Sequence, residues 1–143
     1  MEVRLDSTTE YARSIIDGKI LASESIVDAC NRHLKDMESQ TEYVWDFSYA
    51  EKAISFMEML PDPKTGKSFP LANFQKFIVG SIYGWRRADN KELRRFKKAV
   101  VSVARKNGKS LLISGIILYE FLFGQNPAMS RQLFTGANDK AQA

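Results

Sequence analysis

The sequence is poor in the residues that usually build disulfides and metal centres. Its 143 residues include one cysteine, Cys30, and one histidine, His33. A single cysteine excludes an intramolecular disulfide and a cysteine-based zinc site, and it fits a reducing, intracellular setting. We interpret His33 as an ordinary surface or core side chain and Cys30 as a small core residue.

Long hydrophobic runs are also scarce. The opening residues, MEVRLDSTTEYARS, contain no apolar segment of the signal-peptide kind. The longest apolar stretch, residues 111–123, is interrupted by Ser114, Gly115 and Glu120 and is too short to span a bilayer. With 44% hydrophobic and 27% charged residues, the composition predicts a soluble globular protein without a membrane partner.

Positive charge is in modest excess, with a net charge of +4. This excess is compatible with nucleic acid or nucleotide partners but does not identify them. Part of it lies between Arg86 and Lys98, where basic residues surround Phe96. Such a cluster either contacts DNA phosphates or forms a solvated edge or hairpin, and the pattern favours the second interpretation.

Apolar residues at helical spacing predict that residues 1 to about 60 are all-helical. The expected helices run from a capping box at residues 7–10 to Gly18, from Ser23 to Glu38, and from a second capping box at Ser48 to Pro61. The turn-rich linker at 62–68 then divides the chain. We place a helical N-terminal segment at residues 1–66 and a second part at residues 67–143.

The most informative stretch runs from Ala99 to Phe123. Residues 99–104 form a valine-rich run long enough for one buried strand, and residues 105–108 form a basic, turn-prone link. Lys109-Ser110 then opens an apolar segment of helix length. A strand, a loop ending in Gly-Lys-Ser and a helix together provide the context that a phosphate-binding loop requires.

The residue types in this loop suit a polyphosphate. A helix N-terminus carries unpaired N–H groups and partial positive charge, and Gly108 permits close approach of the backbone. Lys109 would reach the β- and γ-phosphates, while Ser110 would ligate Mg²⁺. However, Val103 occupies the first glycine position of the G-x-x-x-x-G-K-[ST] pattern. A strand–turn–helix unit with a solvated basic turn therefore remains the alternative.

The tripeptide Gly-Lys-Ser also occurs at residues 66–68. No apolar strand precedes this copy, and Phe69-Pro70 follows where a helix would have to begin. We therefore interpret it as a loop and not as a second phosphate site.

Residues 67–143 contain two further segments with predictable secondary structure. Residues 71–85 have the apolar spacing of a helix that includes Gln75, whose amide can both donate and accept hydrogen bonds. On the residues alone, Gln75 is a polar position of an amphipathic helix. Residues 131–135 predict another strand, after which Asn138 or Asp139 is expected to cap a new helix.

Three motifs in this order resemble those of tailed-phage terminase large subunits. Residues 103–110 resemble the family's deviant Walker A loop, in which the first glycine is commonly replaced and an arginine sits early. Residues 73–78, followed by Tyr83-Gly84-Trp85, resemble the adenine-recognising motif that precedes it. Residues 135–138 with Gln142-Ala143 resemble the strand and helix start that follow. The resemblance covers residues 69–143.

The resemblance implies an ATP-driven motor that packages DNA into procapsids. It implies an α/β fold, in which a helical N-terminal segment precedes an incomplete P-loop NTPase core with a parallel β-sheet. It assigns adenine to Gln75, catalysis to Lys109 and Arg105, and Mg²⁺ to Ser110. The residues implied in ATP binding are Gln75, Arg105, Lys106, Asn107, Gly108, Lys109 and Ser110. The implied partners are double-stranded DNA, a portal protein, a small terminase subunit and copies of the subunit in a ring, in the host cytoplasm.

The sequence contains no apolar strand ending in Asp-Glu, the element that such ATPases use to hold Mg²⁺ and activate water. Asp139 does not follow a hydrophobic run and is not assigned this role. We therefore expect an N-terminal piece of a terminase large subunit, with the nuclease domain elsewhere and little hydrolysis by the piece alone. The alternatives are a fragment of another P-loop helicase or translocase, or a non-enzymatic helical interaction module.

Overall fold

The computed structural model describes residues 6–124 and 132–136. In chain order, its elements are α1 (Ser7–Ile16), α2 (Glu24–Glu38), β1 (Tyr43–Trp45), α3 (Phe47–Met59), α4 (Asn73–Gly84), β2 (Trp85–Arg87) and α5 (Lys109–Phe123). All five helices were expected from the apolar spacing, and their predicted existence is confirmed. Within these described ranges, no helix is long and apolar enough to cross a lipid bilayer.

Two helix starts differ from the predicted capping boxes. Asp6 caps α1, because its Oδ1 accepts hydrogen bonds from the N–H groups of Thr8 and Thr9 at 3.1 and 3.0 Å. Asp46 caps α3 and accepts from the Ser48 N–H at 3.2 Å. An aspartate lies one residue before Ser7 and two residues before Ser48, and in each case its side chain accepts from N–H groups of the first turn, two at Asp6 and one at Asp46. The capping boxes at residues 7–10 and at Ser48 were therefore wrong.

Helix α4 is the centre of the packing, because it contacts α1 on one side and α3 on the other. One apolar cluster joins α1, α2 and α4 and contains Tyr11, Ala12, Ile15, Cys30 and Phe77. A second joins α3, α4 and α5 and contains Ala53, Ile54, Met57, Leu71, Val79, Tyr83, Leu112 and Tyr119. The prediction that Cys30 is a core residue is confirmed, since its side chain is fully buried.

A two-stranded antiparallel sheet lies beside these helices. Tyr43 of β1 pairs with Arg87 of β2, and Trp45 pairs with Trp85. The expectation that residues 1–60 are all-helical was therefore wrong at residues 43–45, where three bulky residues pair with a distant segment. Arg86 of β2 also forms an antiparallel bridge with Arg94, so the hairpin interpretation of the basic segment is confirmed.

The strands predicted at 99–104 and 131–135 are not found in the described residues. Residues 99–104 have no regular secondary structure, and the side chain of Val100 is 98% exposed. Residues 132–136 are likewise irregular and exposed. A strand requires hydrogen bonds to a neighbouring strand, and no described segment pairs with either stretch. The observed sheet is thus antiparallel instead of parallel. The helix start expected at Asn138 or Asp139 lies outside the described residues.

Candidate nucleotide site

The loop before α5 contains two residues in the left-handed backbone region. Lys106 has a φ of 67°, and Gly108 has a φ of 69°. The Asn107 Nδ2 group donates to the Ala104 carbonyl at 3.3 Å, which ties the loop to its own start. Tight turns of this kind gather backbone N–H groups into concave surfaces that suit anions.

Gly108 is the residue from which α5 begins. The Leu112 N–H donates to the Gly108 carbonyl at 3.0 Å and closes the first helical turn. Among residues 6–124 and 132–136, no side chain caps this helix, so within that part of the chain the N–H groups of its first turn have no side-chain acceptor. The N-terminus of a 15-residue helix thus presents its donors and partial positive charge to the loop.

Two separate features favour glycine at position 108. Its φ of 69° lies where residues with a Cβ are strained. In addition, a Cβ placed there would lie 2.8 Å from the Gln75 Nε2 atom. Conformation and close approach therefore both disfavour a side chain at this position.

The basic side chains of the loop are exposed. Arg105, Lys106 and Lys109 all lie at the surface. Across residues 6–124 and 132–136, no carboxylate forms an ion pair with any of them. Their positive charge therefore adds to the field of the helix N-terminus, as a polyphosphate site requires.

An open cleft of about 820 Å³ lies between this loop, the start of α5 and the linker after α3. Phe69 of the linker lines it together with Gly108 and the first turn of α5. The lining residues are Leu60, Pro61, Asp62, Pro63, Lys64, Phe69, Ala104, Arg105, Lys106, Gly108, Lys109, Ser110, Leu111, Ser114, Gly115 and Leu118. Among the residues that the structure describes, Asp62 is the one carboxylate that lines the cleft. Its sequence context showed nothing beyond its place in a turn.

Helix α5 is held against α3, which fixes the position of its N-terminus. Leu112 and Tyr119 are buried in the second apolar cluster. At Gly115 the two helices meet closely, because a Cβ there would lie 3.3 Å from the Met57 Cγ atom. The C-terminal end of the loop is therefore joined directly to α5, which is packed against α3.

Gln75 lies beside the loop although 32 residues separate it from Asn107. Its side chain is only 3% exposed. The Nε2 group donates to the Asn107 carbonyl at 3.2 Å, and Oε1 accepts from the Ala72 N–H at 2.9 Å. The structure thus brings Gln75 together with the predicted phosphate-binding residues, and it is more than a polar position on an amphipathic helix.

Ser110 is exposed in the first turn of α5. Within the described ranges there is no cluster of three or more histidine, cysteine, aspartate or glutamate side chains that could hold a metal ion. Mg²⁺ in nucleotide sites commonly takes one or two protein oxygens and completes its shell with phosphate and water. A single hydroxyl at the helix start fits that mode of binding.

Three of the four arginines in the basic segment are buried or half-buried. The Arg86 guanidinium is 2% exposed, donates from Nε to the Tyr83 carbonyl at 2.7 Å, and lies 3.7 Å from the ring centre of Tyr49. Arg95 pairs with Asp36 at 2.6 Å, and Arg94 pairs with Glu120 at 3.0 Å. These contacts give Arg86, Arg94 and Arg95 structural roles, whereas Arg87 is exposed and pairs with Asp89 at 2.6 Å.

His33 lies in the core and not at the surface. Its Nδ1 accepts from the Trp85 Nε1–H at 3.1 Å, so the neutral ring carries its proton on Nε2 and donates to Thr9 Oγ1 at 3.1 Å. Thr9 Oγ1 in turn donates to Asp6 Oδ2 at 2.7 Å. Burial lowers the pKa of His33 to about 4, so the residue links α1, α2 and β2 as a neutral side chain.

Comparisons with known proteins agree with the motifs. The family model described as terminase large subunit, ATPase domain, matches residues 73–143. A protein named terminase, large subunit, from Enterobacteria phage HK97 is 35% identical over 97 residues. That match covers 65% of this chain and 18% of the phage protein, so the chain corresponds to less than a fifth of its relative's length. No solved structure matches the chain significantly.

Proposed function

Residues 73–143 belong to the ATPase domain family of terminase large subunits, and from this premise we propose that the chain supplies the ATP-binding loop of a DNA-packaging motor. An ATPase domain implies nucleotide binding. Because the chain spans only 18% of its phage relative, packaging is a proposal for the whole protein. The proposed partners are double-stranded DNA, a portal protein, a small terminase subunit and other copies in a ring.

The observation that carries this proposal is the uncapped start of α5 directly after a left-handed glycine. The triphosphate of ATP would lie against the N–H groups of this turn. Lys109 would contact the β- and γ-phosphates, and the Ser110 hydroxyl would ligate Mg²⁺. Arg105 and Lys106 would add positive charge, with Arg105 at the γ-phosphate. When bound, ATP and Mg²⁺ would supply the phosphoryl-transfer chemistry, and these side chains would bind and orient them.

The cleft beside the loop supports a nucleotide-sized ligand. Its volume of about 820 Å³ falls within the range of roughly 300–1,000 Å³ that is usual for small-molecule sites. Phe69 on the linker side offers an aromatic face to a base. Gln75 is proposed to recognise adenine, for which its amide would exchange at least one of its present backbone partners.

The proposal is tested by measuring unfolding of the chain with and without Mg-ATP. Saturation at 100 times the dissociation constant should stabilise the chain by about 2.7 kcal/mol. A Ser110→Ala variant should bind ATP with a weaker dependence on Mg²⁺, whereas Ser68→Ala, in the other Gly-Lys-Ser copy, should behave as wild type. Absence of any stabilisation by Mg-ATP would refute nucleotide binding at this loop.

A further inference from the structure

We propose that Gln75 is a positioning residue that fixes the shape of the phosphate-binding loop through its hydrogen bond to the Asn107 carbonyl. This inference rests on the proposed function, since it concerns the same loop. In adenine recognition Gln75 would contact the base, whereas in this positioning role it contacts the backbone of the loop.

The first support is the way in which the Gln75 side chain is held. It is 3% exposed and bonded at both ends of its amide, to Asn107 and to Ala72. The Ala72 contact lies at the start of α4 and anchors the amide to a helix of the core. A side chain that is fixed at one end can transmit its position to the loop at the other end.

The second support is the geometry of the peptide between Asn107 and Gly108. In a trans peptide the C=O and the following N–H point in opposite directions. When Gln75 holds the Asn107 carbonyl, the Gly108 N–H is therefore directed away from Gln75. Gln75 is buried while Gly108 lines the cleft, so a Gly108 N–H held away from Gln75 would be available to a ligand in the cleft.

The third support is the close contact with Gly108 itself. A Cβ at that position would lie 2.8 Å from Gln75 Nε2, so the amide sits directly against the residue that begins α5. Gln75 thus touches both ends of the peptide that it orients. Loss of the amide would leave this peptide free to rotate and would disperse the donors that a phosphate needs together.

The experiment separates phosphate binding from base recognition by using two ligands. Binding of Mg-tripolyphosphate, which has no base, and of Mg-ATP is measured by calorimetry on the full chain. The test variant is Gln75→Met, which keeps the side-chain length but loses the amide. The matched control is Gln40→Met, because Gln40 also joins two backbone groups, the Trp45 N–H at 2.9 Å and the Met37 carbonyl at 3.3 Å.

The positioning role predicts that Gln75→Met weakens binding of Mg-tripolyphosphate by about fivefold to tenfold, for one lost hydrogen bond. Binding of Mg-ATP should weaken by at least the same factor, because ATP would also lose the proposed contact with its base. Gln40→Met should leave both affinities unchanged. Loss of ATP affinity with unchanged tripolyphosphate affinity would overturn the inference and leave Gln75 as an adenine reader only. Unchanged affinity for both ligands would overturn it as well.

One further measurement and one further variant ensure that the experiment can contradict the inference. Thermal unfolding of each variant shows whether Gln75→Met still folds, and Gln75→Asn, which retains an amide on a shorter side chain, is judged by the same criterion if it does not. If the wild-type chain binds neither ligand, the proposed function fails together with the inference. If it binds both and the Gln75 variants keep their tripolyphosphate affinity, only the inference fails.

Discussion

The chain contains the tripeptide Gly-Lys-Ser twice. The two copies share the backbone conformation of their glycine, but they differ in the residues around that glycine and in the secondary structure that follows it. Gly66 and Gly108 have φ values of 68° and 69°. Around Gly66 there is open space and no helix begins at the next residue, whereas Gly108 contacts Gln75 and begins α5. The comparison shows that a helix start and a buried neighbour, and not the tripeptide, create a candidate phosphate site.

The largest loss of stability is expected from truncating Leu112, which anchors the helix that follows the second Gly-Lys-Ser copy. Leu112 is 4% exposed and belongs to the apolar cluster between α3 and α5. Truncation by Leu112→Ala should destabilise the chain by about 2–5 kcal/mol, because it removes buried methyl groups and leaves a cavity. Denaturant unfolding measures this loss, and a change below about 1 kcal/mol would mean that α5 is not anchored as described.

A smaller effect should separate the two glycines directly. Gly66→Ala should cost about 1–2 kcal/mol, the usual cost of placing a Cβ in the left-handed region. Gly108→Ala should cost more, because its Cβ also meets Gln75 Nε2, and it should weaken binding of Mg-ATP. Equal losses of stability in both variants, with nucleotide binding unaffected, would contradict the contact between Gly108 and Gln75.

Acidification should lower the free energy of unfolding through His33 without altering either Gly-Lys-Ser segment. The pKa of His33 is lowered to about 4 in the folded chain, mainly by burial, against about 6.5 for an unperturbed histidine. The unfolded chain therefore binds the extra proton first, so stability is complete above pH 6.5 and falls as the pH drops toward 4. Between pH 7 and 5 the loss should be about 2 kcal/mol.

This pH dependence is measured by urea unfolding at both pH values. A His33→Gln variant should lose most of the dependence, because it has no proton to bind. A wild-type chain with the same stability at pH 7 and pH 5 would contradict the buried, neutral state of His33.

The sequence predicted the elements that depend on local contacts and missed those that depend on distant ones. The helices were predictable because apolar spacing and turn residues act within a few positions. Strand β1 was missed because Tyr43–Trp45 becomes a strand only by pairing with Trp85–Arg87. Residues 99–104 were predicted as a strand for the opposite reason, since a valine-rich run suits a strand but cannot form one without a paired neighbour.

The same distinction applies to the candidate site. The loop residues 105–110 are contiguous, so their pattern was visible in the sequence. The hydrogen bond from Gln75 to the Asn107 carbonyl spans 32 residues, and no local pattern shows it. The family resemblance placed Gln75 in the site with a role toward adenine, but its contact with the loop backbone emerged only from the fold.

The central claim is tested most directly by comparing the two lysines of the repeated tripeptide. Binding of Mg-ATP to Lys109→Ala and to Lys67→Ala is measured side by side by calorimetry. The account predicts that Lys109→Ala loses about tenfold to a hundredfold in affinity, the range for a charge-assisted contact with phosphate, while Lys67→Ala binds as wild type. Equal affinities for the two variants would contradict the claim that the helix start at α5 creates the site.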